Sequence, residues 1–313
     1  MKMTQQDASP ELARPAPGPG SEAAAGTGSV RAGRPRLPAP LCLLAFAAVY
    51  LLAVWTPFGQ RAENALIGGN GARPAWMYDW SGAAYGSSAL PPMENTALPT
   101  LIVGTVLVTA VALARRRWWQ GCAAVGVVIA TVGAKELARA VLPRPDLVDA
   151  RVSLVEASFP SGHVAVPAGL VLAAVLVASP RLRPYVAGAG MLWLAVTAGT
   201  VLATYHHRPS DVLGSTLLAC AGYGLAVRLL PSAHAPAAAH RPRALPAVAL
   251  SLSAVGALAA GARDDSLTES LVFAATAFLC AALFWFTTTL PLHPRTPRPN
   301  RASPQSGRRP EHP

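Results

Sequence analysis

Three polar stretches interrupt an otherwise apolar chain, and their residue types are those of phosphate chemistry. The first is "FPSGHVAVPAG", Phe159 to Gly169. Pro160 suits a helix start and Ser161 its first turn or cap. The backbone N–H groups of Ser161, Gly162 and His163 then point outward with the positive end of the helix dipole behind them, which binds phosphate or carboxylate. Gly162 lets an anion approach the backbone, and His163 can donate a proton. The second stretch is "TYHHRPSDVLGS", Thr204 to Ser215. His207 and Asp211 are four apart, and Pro209 marks a helix start between them. On a helical turn both side chains share one face. Asp211 then accepts from one imidazole nitrogen and leaves the other as nucleophile or base. Such a pair is commonplace in a loop; beside an anion cradle in the same layer it carries more weight. The third stretch, "KELARAVLPRPDL", holds Lys135, Glu136, Arg139 and Arg144. A charge at mid-membrane costs ~2.5–3.5 kcal/mol on insertion scales, so such residues commonly have a task. The competing reading for Lys135, Glu136 and Arg139 is snorkelling with a local Glu136–Arg139 pair.

Long apolar helices must position these stretches. Of 313 residues, 52% are hydrophobic and 13% charged, about half the ~25% charge of a soluble domain. A membrane-spanning helix needs ~20 apolar residues in a row. Eight runs qualify: Ala39–Pro57, Ala97–Ala114, Gly121–Val141, Val164–Ser179, Tyr185–Tyr205, Val212–Leu230, Ala244–Ala262 and Ser270–Leu290. In lipid only helices or closed barrels satisfy their own backbone, and runs this long exclude barrel strands. The expected fold is all-α, a polytopic membrane helix bundle. Residues 1–37 and 291–313, rich in Pro, Ala, Gly and Arg, read as disordered segments. The stretch Arg61–Asn95, with Trp76, Tyr78, Trp80 and Tyr85, reads as the longest external loop.

The formal charge of +11 follows topology rather than nucleic acid, and no nucleic-acid partner is expected. Short Arg-rich loops stay cytoplasmic. Arg115, Arg116 and Arg117, then Arg181 and Arg183, then Arg228, Arg241 and Arg243 fall on one side with both terminal segments. The loop carrying Asp264, Asp265 and Glu269 falls on the other. This predicts a multi-pass plasma-membrane protein with both termini cytoplasmic and all three polar stretches external. Cys42, Cys122, Cys220 and Cys280 each sit within a run, without metal-ligand spacing, and read as small packing residues.

The motifs "KELARAVLPRP", "PSGH" and "HRPSD" resemble, in order and membrane side, the type 2 phosphatidic acid phosphatase family. That family includes vanadium haloperoxidases and bacterial undecaprenyl-pyrophosphate phosphatases, with the pattern Lys-x6-Arg-Pro, Pro-Ser-Gly-His and Ser-Arg-x5-His-x3-Asp. The likeness runs from about Ala97 to Leu230, the six-helix core less its first helix. With the two additional transmembrane helices of 231–290 and the basic tail of 291–313 set outside it, the likeness implies a six-span phosphatase core over 38–230. It further implies that His207 attacks phosphorus, Asp211 orients it, and His163 protonates the leaving oxygen and then activates water. Arg144, Ser161 and the Gly162 backbone would hold the phosphoryl oxygens. The implied reaction is hydrolysis of a lipid phosphate or polyprenyl pyrophosphate at the external leaflet, without metal or cofactor, since arginines and helix dipoles neutralise the developing charge. Two positions depart from the pattern. The family lysine falls at Leu137, with Lys135 and Arg139 two residues to either side; the family Ser-Arg falls at Thr200 and Val201. Arg139 and Lys135 are expected to replace the displaced lysine, and Arg208, or else Arg151, the absent arginine. The alternative is a catalytically weakened relative that binds membrane anions or lipids. His206 is expected to be a polar neighbour at the interface.

Overall fold

The computed structural model describes residues 39–67, 94–151, 154, 158–231, 242–263 and 266–289, all within one unit, Arg34–Pro313. The expectations for both terminal segments, for Trp76, Tyr78, Trp80 and Tyr85, and for Arg241, Asp264 and Asp265 lie outside the described residues. The described residues form nine helices and no strands: α1 Ala39–Val54, α2 Pro57–Ile67, α3 Glu94–Ala114, α4 Trp118–Val141, α5 Gly162–Val177, α6 Arg183–Ala203, α7 Pro209–Leu229, α8 Leu245–Gly261 and α9 Leu267–Thr289. Each of the eight expected runs is a helix, displaced by a few residues at its ends.

Five of these helices are long and apolar enough to cross a membrane, or six if the bent pair α1–α2 counts as one span. The chain is a polytopic helical bundle. The remaining two expected runs, α5 and α8, are shorter apolar helices. At 1.5 Å per residue the 16 residues of α5 reach only about 24 Å. That length suffices because α5 is the axis of the bundle rather than a lipid-facing wall. It packs against α3, α4, α6 and α7, and from Val164 to Ala178 every residue but Ala174 is buried. By contrast α3 exposes Ile102, Val103, Val106 and Leu107, the composition of a face turned to lipid.

One expectation is corrected: α2 occupies the start of the expected Arg61–Asn95 loop. The chain turns 78° after α1. Thr56 then caps the new helix by accepting from Gly59 N–H at 3.0 Å, and Pro57 takes the first helical position, where its missing N–H costs nothing. Gly59 is required by closeness: a Cβ there would lie 2.1 Å from the Leu52 carbonyl oxygen. The segment "TPFGQRAENA" therefore carries its own start signal.

The two ends of α5 are treated oppositely. At its C-terminus Arg183 donates to Val175 O and Ala178 O at 3.1 and 3.4 Å, and Arg115 donates to Val177 O at 3.1 Å. Arginines there satisfy last-turn carbonyls and complement the negative end of the dipole. Two arginines read as topology markers thus also cap the central helix. Its N-terminus carries the polar residues.

The C-terminal pair α8–α9 packs against α6, and α9 also against α7. Arg263, between them, is buried. It donates to Ala203 O at 3.1 Å, pairs with Glu269 at 3.1 Å and lies 4.2 Å over the Tyr205 ring. Tyr205 in turn donates to Glu269 at 3.0 Å. This pair of helices thus reaches the loop that leads into His207.

Candidate active site

The histidines meet because two helix starts abut. Ser161 is the N-cap of α5 and accepts from Val164 N–H. Its own N–H donates to Asp211 O at 3.0 Å, and Ser215 Oγ donates to Ser161 O at 2.6 Å. The PSGH turn is therefore bonded directly to the first two turns of α7. Phe159 secures its other side, its ring 5.1 and 5.3 Å from those of Phe46 and Tyr50.

His207 lies just before α7 rather than on it: Arg208 is the N-cap and Pro209 the first helical residue. Its side chain meets Asp211 nonetheless. The His207 Nδ1 to Asp211 Oδ2 distance is 3.3 Å, and His207 Nε2 lies 3.2 Å from His163 Nδ1. The three side chains form a line, carboxylate to imidazole to imidazole. Asp211 is wholly buried, and its Oδ2 accepts also from Ser158 Oγ at 2.6 Å and from Arg208 N–H at 3.0 Å. A carboxylate so fixed has one orientation, and the Nδ1–H tautomer of His207 is the one it favours. His207 Nε2 is then the nitrogen with a lone pair to use.

Lys135, buried near the end of α4, brings its ammonium over the PSGH turn: a Cβ added to Gly162 would lie 3.3 Å from Nζ. It also contacts Glu136. The first-turn N–H groups of Gly162 and His163 have no intrahelical acceptors, so a cation and a helix N-terminus share one spot. Arg144 follows α4 in the segment Pro143–Pro145, whose prolines cannot continue a helix. Its guanidinium is buried 3.7 Å from Glu63 of α2, and neither Nη has a hydrogen-bond partner.

Three expected residues stand elsewhere. Arg139 and Arg151 are exposed. Arg208 is buried with its fork turned to the protein, donating to Ser158 Oγ and Leu154 O at 2.9 and 2.5 Å. Through Ser158 it supports Asp211. At the departing positions, Thr200 and Val201 are buried, and Val201 O accepts from both His206 N–H and His207 N–H, at 3.0 and 3.3 Å. Position 201 thus seats the histidine by its carbonyl. His206 is bonded to Thr204 Oγ1 at 2.8 Å and lies edge-on to His163.

Ser158, Glu63, Gln60, Ser215 and Arg263 were not anticipated. Ser158 adjoins a recognisable motif, and the Thr56–Pro57 start signal pointed to a helix carrying Gln60 and Glu63. Nothing local marked Ser215 or Arg263. Among the described residues, no group of three or more His, Cys, Asp or Glu side chains stands together as a metal site.

Residues 117–235 match the family model of the PAP2 superfamily. The matched region runs from α4 through α7 and contains Lys135, Arg144, Ser161, His163, His207 and Asp211; α1–α3 and α8–α9 lie outside it. No curated protein and no solved structure matches the chain.

Proposed function

We propose that the chain is an integral-membrane phosphatase that hydrolyses a lipid phosphate or polyprenyl pyrophosphate at the external leaflet through a phosphohistidine. The observation that carries this reading is the line Asp211–His207–His163, with His207 Nε2 facing the second imidazole. Asp211 holds the Nδ1 proton, so the Nε2 lone pair forms the N–P bond as the P–O bond to the lipid breaks. His163 gives its proton to the leaving oxygen, then takes one from water. That water attacks phosphorus, the N–P bond breaks, and inorganic phosphate leaves. Lys135, Arg144 and the N–H groups of Gly162 and His163 neutralise the equatorial oxygens. The resting contact of 3.2 Å between the imidazoles must open to admit the phosphoryl group, because an in-line displacement puts attacking and leaving atoms on opposite sides of phosphorus.

The site lies at one end of the bundle, at helix starts flanked by lipid-facing helices. A lipid can therefore present its headgroup while its tails stay in the bilayer. The arginines at the other end of α5 support placing that end in the cytoplasm. The test is phosphate release by the purified chain from phosphatidate, phosphatidylglycerophosphate and a polyprenyl pyrophosphate. Turnover resistant to chelator and inhibited by vanadate supports the proposal. Vanadate binding without turnover on any of the three supports the alternative, a membrane protein that binds anionic lipid.

A further inference from the structure

The helix α2 lies outside residues 117–235, yet it brings a buried carboxylate to the phosphate site. We propose that Glu63 is a positioning residue: it holds the Arg144 guanidinium and ties it to the N-terminus of α7. The inference rests on reading Arg144 as a phosphate ligand.

The two oxygens of Glu63 have different partners. Oε1 accepts from Ser210 N–H at 3.0 Å, in the first turn of α7 and one residue before Asp211. Oε2 faces Arg144 Nη1 at 3.7 Å, attractive as an ion pair but too long for a hydrogen bond. The guanidinium therefore has a carboxylate beside Nη1, yet neither Nη has a hydrogen-bond partner. Buried donors left unfilled are costly unless something fills them, and a phosphoryl group accepts from such a fork.

The placement of α2 supports the same role. Gln60, one turn before Glu63 and buried, donates to Pro145 O at 2.6 Å and to Val54 O at 2.7 Å. It also accepts from Leu147 N–H at 3.1 Å. Tyr50 donates to Pro143 O. The backbone on both sides of Arg144 is thus held by α1 and α2, and its head by Glu63. A planar fork fixed in advance loses little freedom when it binds a phosphate.

Charge alone predicts the opposite effect. A carboxylate beside an anion site repels the anion, so its removal should tighten binding unless it positions the arginine. The sign of the change therefore separates the two. The experiment uses the full chain in detergent, with orthovanadate as probe, read both as inhibition of turnover and as thermal stabilisation without substrate. Glu63→Gln keeps an oxygen for Ser210 N–H and turns its NH2 group, a donor without charge, to Arg144. The expected result is vanadate binding at least tenfold weaker, with KM rising by more than kcat falls. In an Arg144→Ala background the same substitution should change vanadate affinity less than twofold, because Glu63 acts through the arginine. Vanadate binding unchanged or tighter in Glu63→Gln, or an equal loss without Arg144, overturns the inference. Should Glu63→Gln fail to fold, Glu63→Asp keeps the charge and withdraws it by one methylene. A threefold to tenfold weakening of vanadate binding is then expected, and none overturns the inference. Wild-type protein that binds vanadate without turnover overturns only the hydrolase reading; wild-type protein that does neither overturns both.

Discussion

Replacing Asp211 by Asn tests the proposed orientation of His207, and the size of the effect follows from the donors around one oxygen. Asp211 Oδ2 accepts from Ser158 Oγ, Arg208 N–H and His207 Nδ1, while Oδ1 is buried with no hydrogen-bond partner. An asparagine can enter two ways. With its NH2 in the Oδ2 position it would face the Arg208 N–H, which can only donate; with its carbonyl there, all three donors are kept. The second arrangement is favoured, so His207 keeps its Nδ1–H tautomer and loses only the negative charge beside it. A hydrogen bond to a charged group contributes about 1.5–3 kcal/mol and one to a neutral group about 0.5–1.5; the difference, about 1–1.5 kcal/mol, is at 1.36 kcal/mol per decade roughly a 5- to 13-fold fall in kcat. In a catalytic triad whose amide turns the histidine into the wrong tautomer, the loss is about 10⁴-fold. The assay is steady-state phosphate release, with acid-quenched trapping of the phosphoenzyme to locate the slowed step. Wild-type turnover in Asp211→Asn would refute a role for the carboxylate. A loss near 10⁴-fold would refute the claim that Ser158 and Arg208 fix the amide.

Three further outcomes are expected. Lys135→Met lowers kcat/KM at least tenfold, about 1.4 kcal/mol of transition-state stabilisation, whereas Arg139→Ala, at an exposed position, changes it less than twofold; steady-state kinetics on the same substrate would show whether the two are reversed. Arg263→Met leaves Glu269 without its ion pair and lowers thermal stability, by an amount of the order of 3 kcal/mol for a broken buried pair. The Arg263→Met/Glu269→Gln double variant regains part of it, and calorimetry that finds the double variant worse than the single one would exclude that pairing. In a Cys122→Ala background, a cysteine at exposed Asp146 is labelled by an impermeant thiol reagent on intact cells, and one at exposed Arg116 only after lysis. The converse pattern would put the site at the cytoplasmic leaflet.

The helices were legible because lipid imposes a strong rule: an unpaired backbone has no water to turn to, so each long apolar run must be a helix. Helix starts were legible for a local reason. Ser161 before Gly162, and Pro209 two residues before Asp211, are cap and first-turn residues whose chemistry does not depend on the rest of the fold. The histidine pair and its carboxylate could therefore be read from the sequence. What stayed hidden were partners supplied from a distance. Arg208 beside His207 reads as a phosphate ligand, but its fork faces Ser158 and Leu154, a choice made by the packing of a loop some fifty residues away. Likewise the end of an apolar run at Pro57 looked like the end of a span. The Thr56–Pro57 pair was in fact the cap of a further helix, turned 78° from α1 and bringing Glu63 to Arg144 and Ser210.

That hidden helix bears on how a site of this kind can exist in a membrane protein at all. Lys135, Glu63, Arg144, Arg208 and Asp211 are all buried, or carry buried side chains, and a buried charge removed from water is stable only when paired or hydrogen-bonded. Each has a particular answer. Asp211 takes three donors, Arg208 takes two acceptors, Lys135 leans on Glu136, and Glu63 joins Arg144 to the first turn of α7. Only the Arg144 fork keeps two buried nitrogens without hydrogen-bond partners. The least satisfied of these cations is thus the one to which a bound phosphoryl group would supply the acceptors it lacks.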